Sequence, residues 1–281
     1  MDSIMKIERL TKEIEMSAKE LASMIDHTNL SPYATIESIR ALCEEAKTFR
    51  FHSVCVNPYW TSFCANELKN TGIKVDTAVG FPLGQTTPEE KAFEARQAIR
   101  SGASELDMVM NVSAFRNGNI EVVRGEIEAV VEEAEKNIVK VILETGYLTH
   151  EEIREACRLV KKSGGDFVKN STGFGPLGAT VVHINLMRKA VGNDFGVKAA
   201  GGIENFKNAL RMIAAGANRI GASAGVGIMK SYEKSKSINW SIEENPCHLC
   251  PTYNASFEKM PKSTSEYYIG MCRNCPHERS W

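Results

Sequence analysis

Over the first 230 positions of this chain, apolar and polar residues alternate in two registers. Short β-branched runs bounded by Gly, Pro or polar residues predict buried strands at 52–57, 73–81, 105–111, 137–144, 165–170, 196–202 and 218–223, and ASMIDHT (22–28) supplies an earlier one. Between them, apolar residues fall at helical spacing over 36–49, 88–102, 121–136, 149–164 and 204–216. Thr149 followed by Glu152 is a capping-box signature, and Gly102, Gly164 and Gly216 stand where helix C-terminal caps belong. Residues 5–20 read as an amphipathic helix that caps the bottom of the sheet. Eight strand–helix units in succession predict an α/β fold, a (β/α)₈ TIM barrel. A doubly wound open sheet would carry a Gly-rich fingerprint after its first strand, and DHTNLSP is not one.

Composition divides the chain. It has 281 residues, 43% hydrophobic and 25% charged, enough apolar mass for a large core. Four of the eight cysteines (Cys247, Cys250, Cys272, Cys275) crowd into the last stretch, which holds one of the 21 glycines. Three parts are expected: a helical extension (1–20), a barrel (21–230) and a C-terminal module (231–281). With Lys plus Arg at 34 against Asp plus Glu at 35, the chain lacks the basic field of a nucleic-acid or anionic-membrane binder. No apolar run approaches a membrane span and the N-terminus is too charged for a signal peptide, so a cytoplasmic setting with reduced thiols is expected.

A barrel of this kind does its chemistry at the C-terminal ends of its strands. Those ends carry Asp26, Cys55 with Asn57, Asp107 with Asn111, Glu144, Lys169 and Lys198. Charges are out of place in buried strands, and two lysines on consecutive strands would bring two amines to one mouth. Each disfavours protonation of the other, which predicts an amine free to attack a carbonyl. Asp107 is expected to shuttle a proton, to hold a water or simply to pair with a lysine. Cys55 is expected as a buried thiol lining the pocket, His27 and His52 as hydrogen-bonded structural groups, and His150 and His183 as surface groups. NSTGFGPLGAT (170–180), AAGGIEN (199–205) and GASAGVG (221–227) are loops of small residues suited to cradling a phosphate. Substrate contacts are therefore expected from Asp26, Cys55, Asn170, Ser171, Thr172, Gly173, Gly201, Gly202, Gly221, Ala222 and Ser223.

The tail holds CHLC (247–250) and CRNC (272–275), two C-x₂-C knuckles. Four thiolates at about 2.3 Å make a closed tetrahedral site, so the spacing predicts a structural Zn²⁺ ribbon without an open position for catalysis. A metal staple also suits a segment too short to bury much by itself.

Taken together, IDHTNL (25–30), SVCVNP (53–58), VGFPLG (79–84), ELDMVMN (105–111), VILETGYLT (141–149), DFVKNSTGFG (166–175), VKAAGGI (197–203) and RIGASAG (219–225) resemble the deoxyribose-phosphate aldolases of the short bacterial and archaeal type. The resemblance spans about residues 20–230 and implies a class I aldolase that needs no cofactor for catalysis. It implies that Lys169 forms a Schiff base with 2-deoxy-D-ribose 5-phosphate, releasing glyceraldehyde 3-phosphate and acetaldehyde. Lys198 would depress the pKa of Lys169, Asp107 and a water would carry protons, and Gly201, Gly202 and Gly221–Ser223 would hold the phosphate. A homo-oligomer is expected. Departures from the family pattern are Asn170, where Thr usually follows the lysine, Asn29, and Asp76 in a normally uncharged strand. Asn170 and the tail leave open a related Schiff-base aldolase for another phosphosugar. A non-catalytic phosphosugar-sensing barrel with a zinc interaction module is the alternative from another class.

Overall fold

A computed structural model of the chain describes residues 7, 9–11 and 14–237. Eight parallel strands close into a barrel in chain order: β1 (Ile25–Asn29), β2 (Ser53–Val56), β3 (Lys74–Val79), β4 (Glu105–Val109), β5 (Ile138–Ile142), β6 (Phe167–Lys169), β7 (Gly196–Ala200) and β8 (Arg219–Ala222). Around it run α1 (Ala18–Ala22), α2 (Ile36–Phe49), α3 (Thr61–Glu67), α4 (Pro88–Arg100), α5 (Val112–Arg116), α6 (Ile120–Ala134), α7 (His150–Lys162), α8 (Val181–Val191), α9 (Phe206–Ala214) and α10 (Gly225–Ser237). The expected barrel is therefore observed, with α3, α5, α8 and α10 as helices that apolar spacing did not mark.

Local chemistry explains the boundaries. Thr35, Thr87 and Thr149 cap α2, α4 and α7, each accepting from the backbone N–H three residues on. Gly102, Gly164 and Gly216 follow helix ends with φ of 100°, 85° and 112°, a backbone region where a Cβ is costly. The helix expected over 5–20 does not form as one piece. Residues 14–17 have no regular structure, because Ser17 and Glu20 form their own capping box and restart the chain as α1. At the other end, α10 continues past residue 230 to Ser237. Buried Tyr232 holds it there, its ring edge-on to Phe206 at 5.0 Å and its hydroxyl donating to the Met16 carbonyl at 2.9 Å. The four tail cysteines, and the expected metal site with them, lie outside the described residues.

Strand register and side-chain contacts sort the barrel interior into three layers, each drawn from alternate strands. The lowest holds Ser53, Glu105, Phe167 and Arg219; the middle Asp26, Asp76, Lys140 and Lys198; the upper Cys55, Asp107, Lys169 and Gly221. Such interiors are ordinarily filled by branched apolar side chains. Here four carboxylates face four cationic groups in a connected set of ion pairs. Two glycines make room for the long side chains. A Cβ on Gly196 would fall 2.1 Å from the Phe167 ring, and one on Gly221 would fall 2.9 Å from Cε of Lys198.

Candidate active site

The upper layer meets a cavity of about 580 Å³ at the C-terminal mouth. Of the expected residues, Lys169, Thr172, Gly173, Gly201, Gly202, Gly221, Ala222 and Ser223 line it. Lys169 closes β6 and is 3% exposed, its Nζ 2.6 Å from Oδ2 of Asp107. The same oxygen lies 2.7 Å from Nζ of Lys198, so one carboxylate oxygen joins the two amines. Lys198 also reaches Asp26 at 2.6 Å and Asp76 at 2.9 Å. Burial by itself would strip the proton from Lys198. The carboxylates of Asp107, Asp26 and Asp76 outweigh it and push its pKa well above the ordinary lysine value. Burial likewise disfavours the charge on Asp107, but the ammonium groups of Lys140, Lys169 and Lys198 hold its carboxyl well below the usual range. The two lysines therefore do not face each other bare, as charge repulsion alone would suggest; Asp107 stands between them.

Asp26 and Cys55 lie beneath the cavity floor. Asp26 accepts from Ser53 Oγ at 2.7 Å and pairs with Arg219 at 2.9 Å. Cys55 is fully buried, 4.0 Å from Oδ2 of Asp107, and burial followed by the Asp76 charge pushes its thiol well up, away from a nucleophile's range. It supports the floor and does not line the pocket. Asn170 turns away from the cavity: its Nδ2 donates to the Ala200 carbonyl at 3.1 Å and its Oδ1 accepts from Ala200 N at 2.7 Å. It bridges the ends of β6 and β7. Ser171 Oγ accepts from Gly173 N at 3.0 Å and shapes the same loop. Asn57 donates to the Leu30 carbonyl and Asn111 caps α5.

Glycines fit the loops together at the mouth. Gly201, at φ 92°, and Gly178 approach so closely that a Cβ on Gly178 would be 2.5 Å from the Gly201 carbonyl oxygen. Ala179 N donates to that oxygen at 3.0 Å. Glu144 braces the loop after β6 from behind, accepting from Thr172 N at 3.1 Å and from the Thr172 hydroxyl; burial raises its pKa. Phe81, in the loop after β3, meets Phe174, in the loop after β6, edge to face at 5.4 Å.

Several charged residues escaped the sequence reading. Lys140 is fully buried and reaches Asp76 at 3.0 Å, Glu105 at 2.8 Å and Asp107 at 2.9 Å. Arg219 reaches Glu105 at 2.9 Å. The signal existed, since IVKVI is as apolar around its lysine as DFVKN. Asp76, noted only as a departure, belongs to the middle layer; burial and then the Asp107 charge raise its pKa against the pull of Lys140 and Lys198. His27 and His52 are hydrogen-bonded as expected, to Glu45 and Glu105, each at 2.7 Å. The surface reading of His150 and His183 fails. His183 is fully buried with Nδ1 3.0 Å from Thr145 Oγ1, and burial, then His150, lowers its pKa to about 3. His150 is partly buried and edge-on to the His183 ring at 5.7 Å. Two sets of ligand-type atoms converge inside the barrel, Asp26 with His52 and Glu105, and Cys55 with Asp76 and Asp107. Their carboxylates already meet ammonium or guanidinium groups where a metal ion would sit.

Comparison with known proteins agrees with this geometry. Residues 15–231 match the model of a family described as DeoC/LacD family aldolase. A deoxyribose-phosphate aldolase of Aciduliprofundum boonei is 55% identical over 220 residues, covering 78% of this chain and 99% of the relative. One from Thermoanaerobacter sp. is 53% identical, over 77% of this chain and 98% of its own length. The tetrameric deoxyribose phosphate aldolase from Aeropyrum pernix superposes with a TM-score of 0.77 at 33% identity, over 82% of this chain and 97% of its own. A closed parallel barrel with a lysine at its mouth, and matches that run across the barrel's whole length, lead to one assignment: the chain belongs to the DeoC/LacD aldolase family.

Proposed function

We infer that this chain is a deoxyribose-phosphate aldolase that cleaves 2-deoxy-D-ribose 5-phosphate through a Schiff base on Lys169. The observation that carries the reading is the position of Lys169, an amine lining the cavity and held 2.6 Å from a carboxylate that also grips Lys198. Lys169, as the free amine, attacks C1 of the open-chain sugar; the carbinolamine loses water to give the protonated imine. The C3 hydroxyl then gives up its proton to a water held near Asp107. The C2–C3 bond breaks, C3 becomes the aldehyde of glyceraldehyde 3-phosphate, and the electron pair passes into the imine as an enamine. Protonation at C2 and hydrolysis by water release acetaldehyde and restore Lys169. Lys198, held charged by three carboxylates, keeps Asp107 ionised beside Lys169. Gly201, Gly202 and the Gly221–Ser223 turn present backbone N–H groups to the phosphate. Asn170, spent on Ala200, acts by holding the two lysine strands in register.

The test is borohydride reduction with the sugar phosphate, followed by peptide mass spectrometry. The adduct is expected on Lys169 and absent in Lys169→Leu. An adduct formed only with other phosphosugars moves the substrate; none with any aldehyde or ketose refutes the enzyme reading.

We also propose a cytoplasmic homo-oligomer, supported by the tetrameric relative, and a structural Zn²⁺ held by Cys247, Cys250, Cys272 and Cys275, supported by the two C-x₂-C knuckles. Among the described residues no helix is long and apolar enough to cross a membrane. Zinc retained at full stoichiometry in Cys247→Ser/Cys250→Ser would refute the four-thiolate site.

A further inference from the structure

We propose that Asn29 is a specificity-determining residue of the phosphate subsite, its side-chain amide donating to the phosphate beside the turn that joins β8 to α10. The proposal rests on the phosphosugar reading and deepens it.

The cavity wall shows what the subsite has to work with. Among its described lining residues the only lysine or arginine is Lys169, which serves the aldehyde end, whereas Glu45 and Glu204 carry negative charge. A phosphate monoester brings about −1.5 to −2 charges. Much of its hold must therefore come from uncharged donors, of which the glycine loops supply the backbone share. Most side-chain hydroxyls in the wall are already spent. Thr28 donates to the Asp26 carbonyl at 2.9 Å, Ser38 to the Thr35 carbonyl at 2.8 Å, and Thr172 to Glu144.

Asn29 keeps a donor in reserve. It ends β1, is half-buried and lines the cavity. Its Oδ1 accepts from Ser31 N at 3.2 Å. A backbone N–H bonds only to the oxygen end of an amide, so this contact fixes which way round the group lies and leaves its NH₂ over. Among the described residues that NH₂ has no hydrogen-bond partner. The strand then places it. Asn29 follows His27 by two residues, so both side chains leave the same face of β1, Asn29 about 6.6 Å nearer the mouth. His27 pairs with Ala222 across the β1–β8 ladder and packs on the start of α10, where a Cβ on Gly225 would lie 2.7 Å from its Nδ1. One step above that contact, Asn29 flanks Ser223 and Ala224, which line the same cavity. The spare amide protons and the Gly221–Ser223 turn thus converge on one anion.

The test compares the intact protein with Asn29→Leu and Asn29→Asp. Leucine removes both the donor and the acceptor for Ser31; aspartate keeps an oxygen for Ser31 but puts a negative charge where the donor was. Readouts are kcat and KM for deoxyribose 5-phosphate, kcat/KM for unphosphorylated 2-deoxyribose, and calorimetric binding of inorganic phosphate. Asn29→Leu is expected to raise KM for the phosphorylated sugar and weaken inorganic phosphate roughly tenfold, the loss of one hydrogen bond to a charged group. The ratio of kcat/KM for the phosphorylated over the free sugar should fall by the same factor. Asn29→Asp should lose more than Asn29→Leu on each phosphate readout, because a carboxylate then meets the dianion. A residue that only shaped the turn would give the reverse order, since aspartate retains the bond to Ser31. Circular dichroism checks that each barrel is folded. An Asn29→Asp variant that binds phosphate as well as or better than Asn29→Leu, or an equal loss on both sugars, overturns the proposal. If the intact protein fails to cleave deoxyribose 5-phosphate, the proposed activity falls, and the inorganic phosphate measurement still decides the role of Asn29.

Discussion

Lys91→Met tests whether the loops that frame the mouth are held by a buried charge pair outside the barrel. Lys91 is on α4 and Glu126 on α6; both side chains are fully buried and their charged ends meet at 2.6 Å. The ammonium also donates to the carbonyls of Gly84 at 2.7 Å and Val109 at 2.9 Å, and Glu126 accepts from Asn111 N at 2.6 Å. The backbone bonds reach the loop after β3 at Gly84, the last residue of β4 at Val109 and the loop after β4 at Asn111; the first of these loops carries Phe81. Burial acts against both charges, lowering the pKa of Lys91 and raising that of Glu126, so each depends on its partner. Met fills most of the lysine's volume but leaves a buried carboxylate uncompensated, a loss of about 3–5 kcal/mol. At ~2–4 °C per kcal/mol for a domain of this size, the melting temperature should fall by roughly 6–20 °C. Adding Glu126→Gln removes the stranded charge while keeping an acceptor for Asn111, and should recover at least half of the loss. Circular dichroism melts and urea titrations of the two variants read the effect. A single variant that costs less than ~1 kcal/mol, or a double variant no better than the single, refutes the argument.

Two further outcomes follow from the barrel interior. The ion pairs of Glu105 with Lys140 and Arg219, and its bond from His52, outweigh burial and hold its pKa down at about 2, against ~4.3 in the unfolded chain. The stabilisation is therefore present above about pH 4.3 and lost as pH falls towards 2, amounting to roughly 3 kcal/mol at neutral pH. The stability gap between the intact protein and Glu105→Gln should be widest near pH 7 and close only towards pH 2 in denaturant titrations; a constant gap would contradict it. Gly196→Ala drives a methyl group into the Phe167 ring and should cost at least about 2 kcal/mol, with Phe167→Leu restoring part of it in the double variant. Melting within ~1 °C of the parent would show that β7 yields instead.

The strand pattern revealed the barrel because fully buried parallel strands write continuous apolar runs, and a charge inside such a run is conspicuous. That is how Lys169, Lys198 and Asp107 became legible. Lys140 has the same signature and shares the middle layer with Lys198, but it falls inside the run 137–144, and attention to strand ends alone passes over it. Glu105 and Arg219 begin their strands, where a charge reads as a solvated edge, yet the pleat turns them inward to meet each other. Asn170 shows another limit: its residue type suits a ligand, and only the fold reveals that Ala200 uses both ends of its amide. His183 stands beside Ile184 on the apolar side of α8, where helical period and not residue polarity decides burial.

The four-against-four charge balance sealed in the barrel constrains how this sequence can change over generations. Neutralising any one member leaves an opposite charge stranded, whereas two substitutions that remove a cation and its carboxylate together restore balance. Drift at these eight positions is thus confined to correlated, paired exchanges, and the order in which the two occur matters because the intermediate is the unstable state. Asp76 illustrates the point: a carboxylate in the buried part of β3 is tolerable only where Lys140 and Lys198 already wait at 3.0 and 2.9 Å.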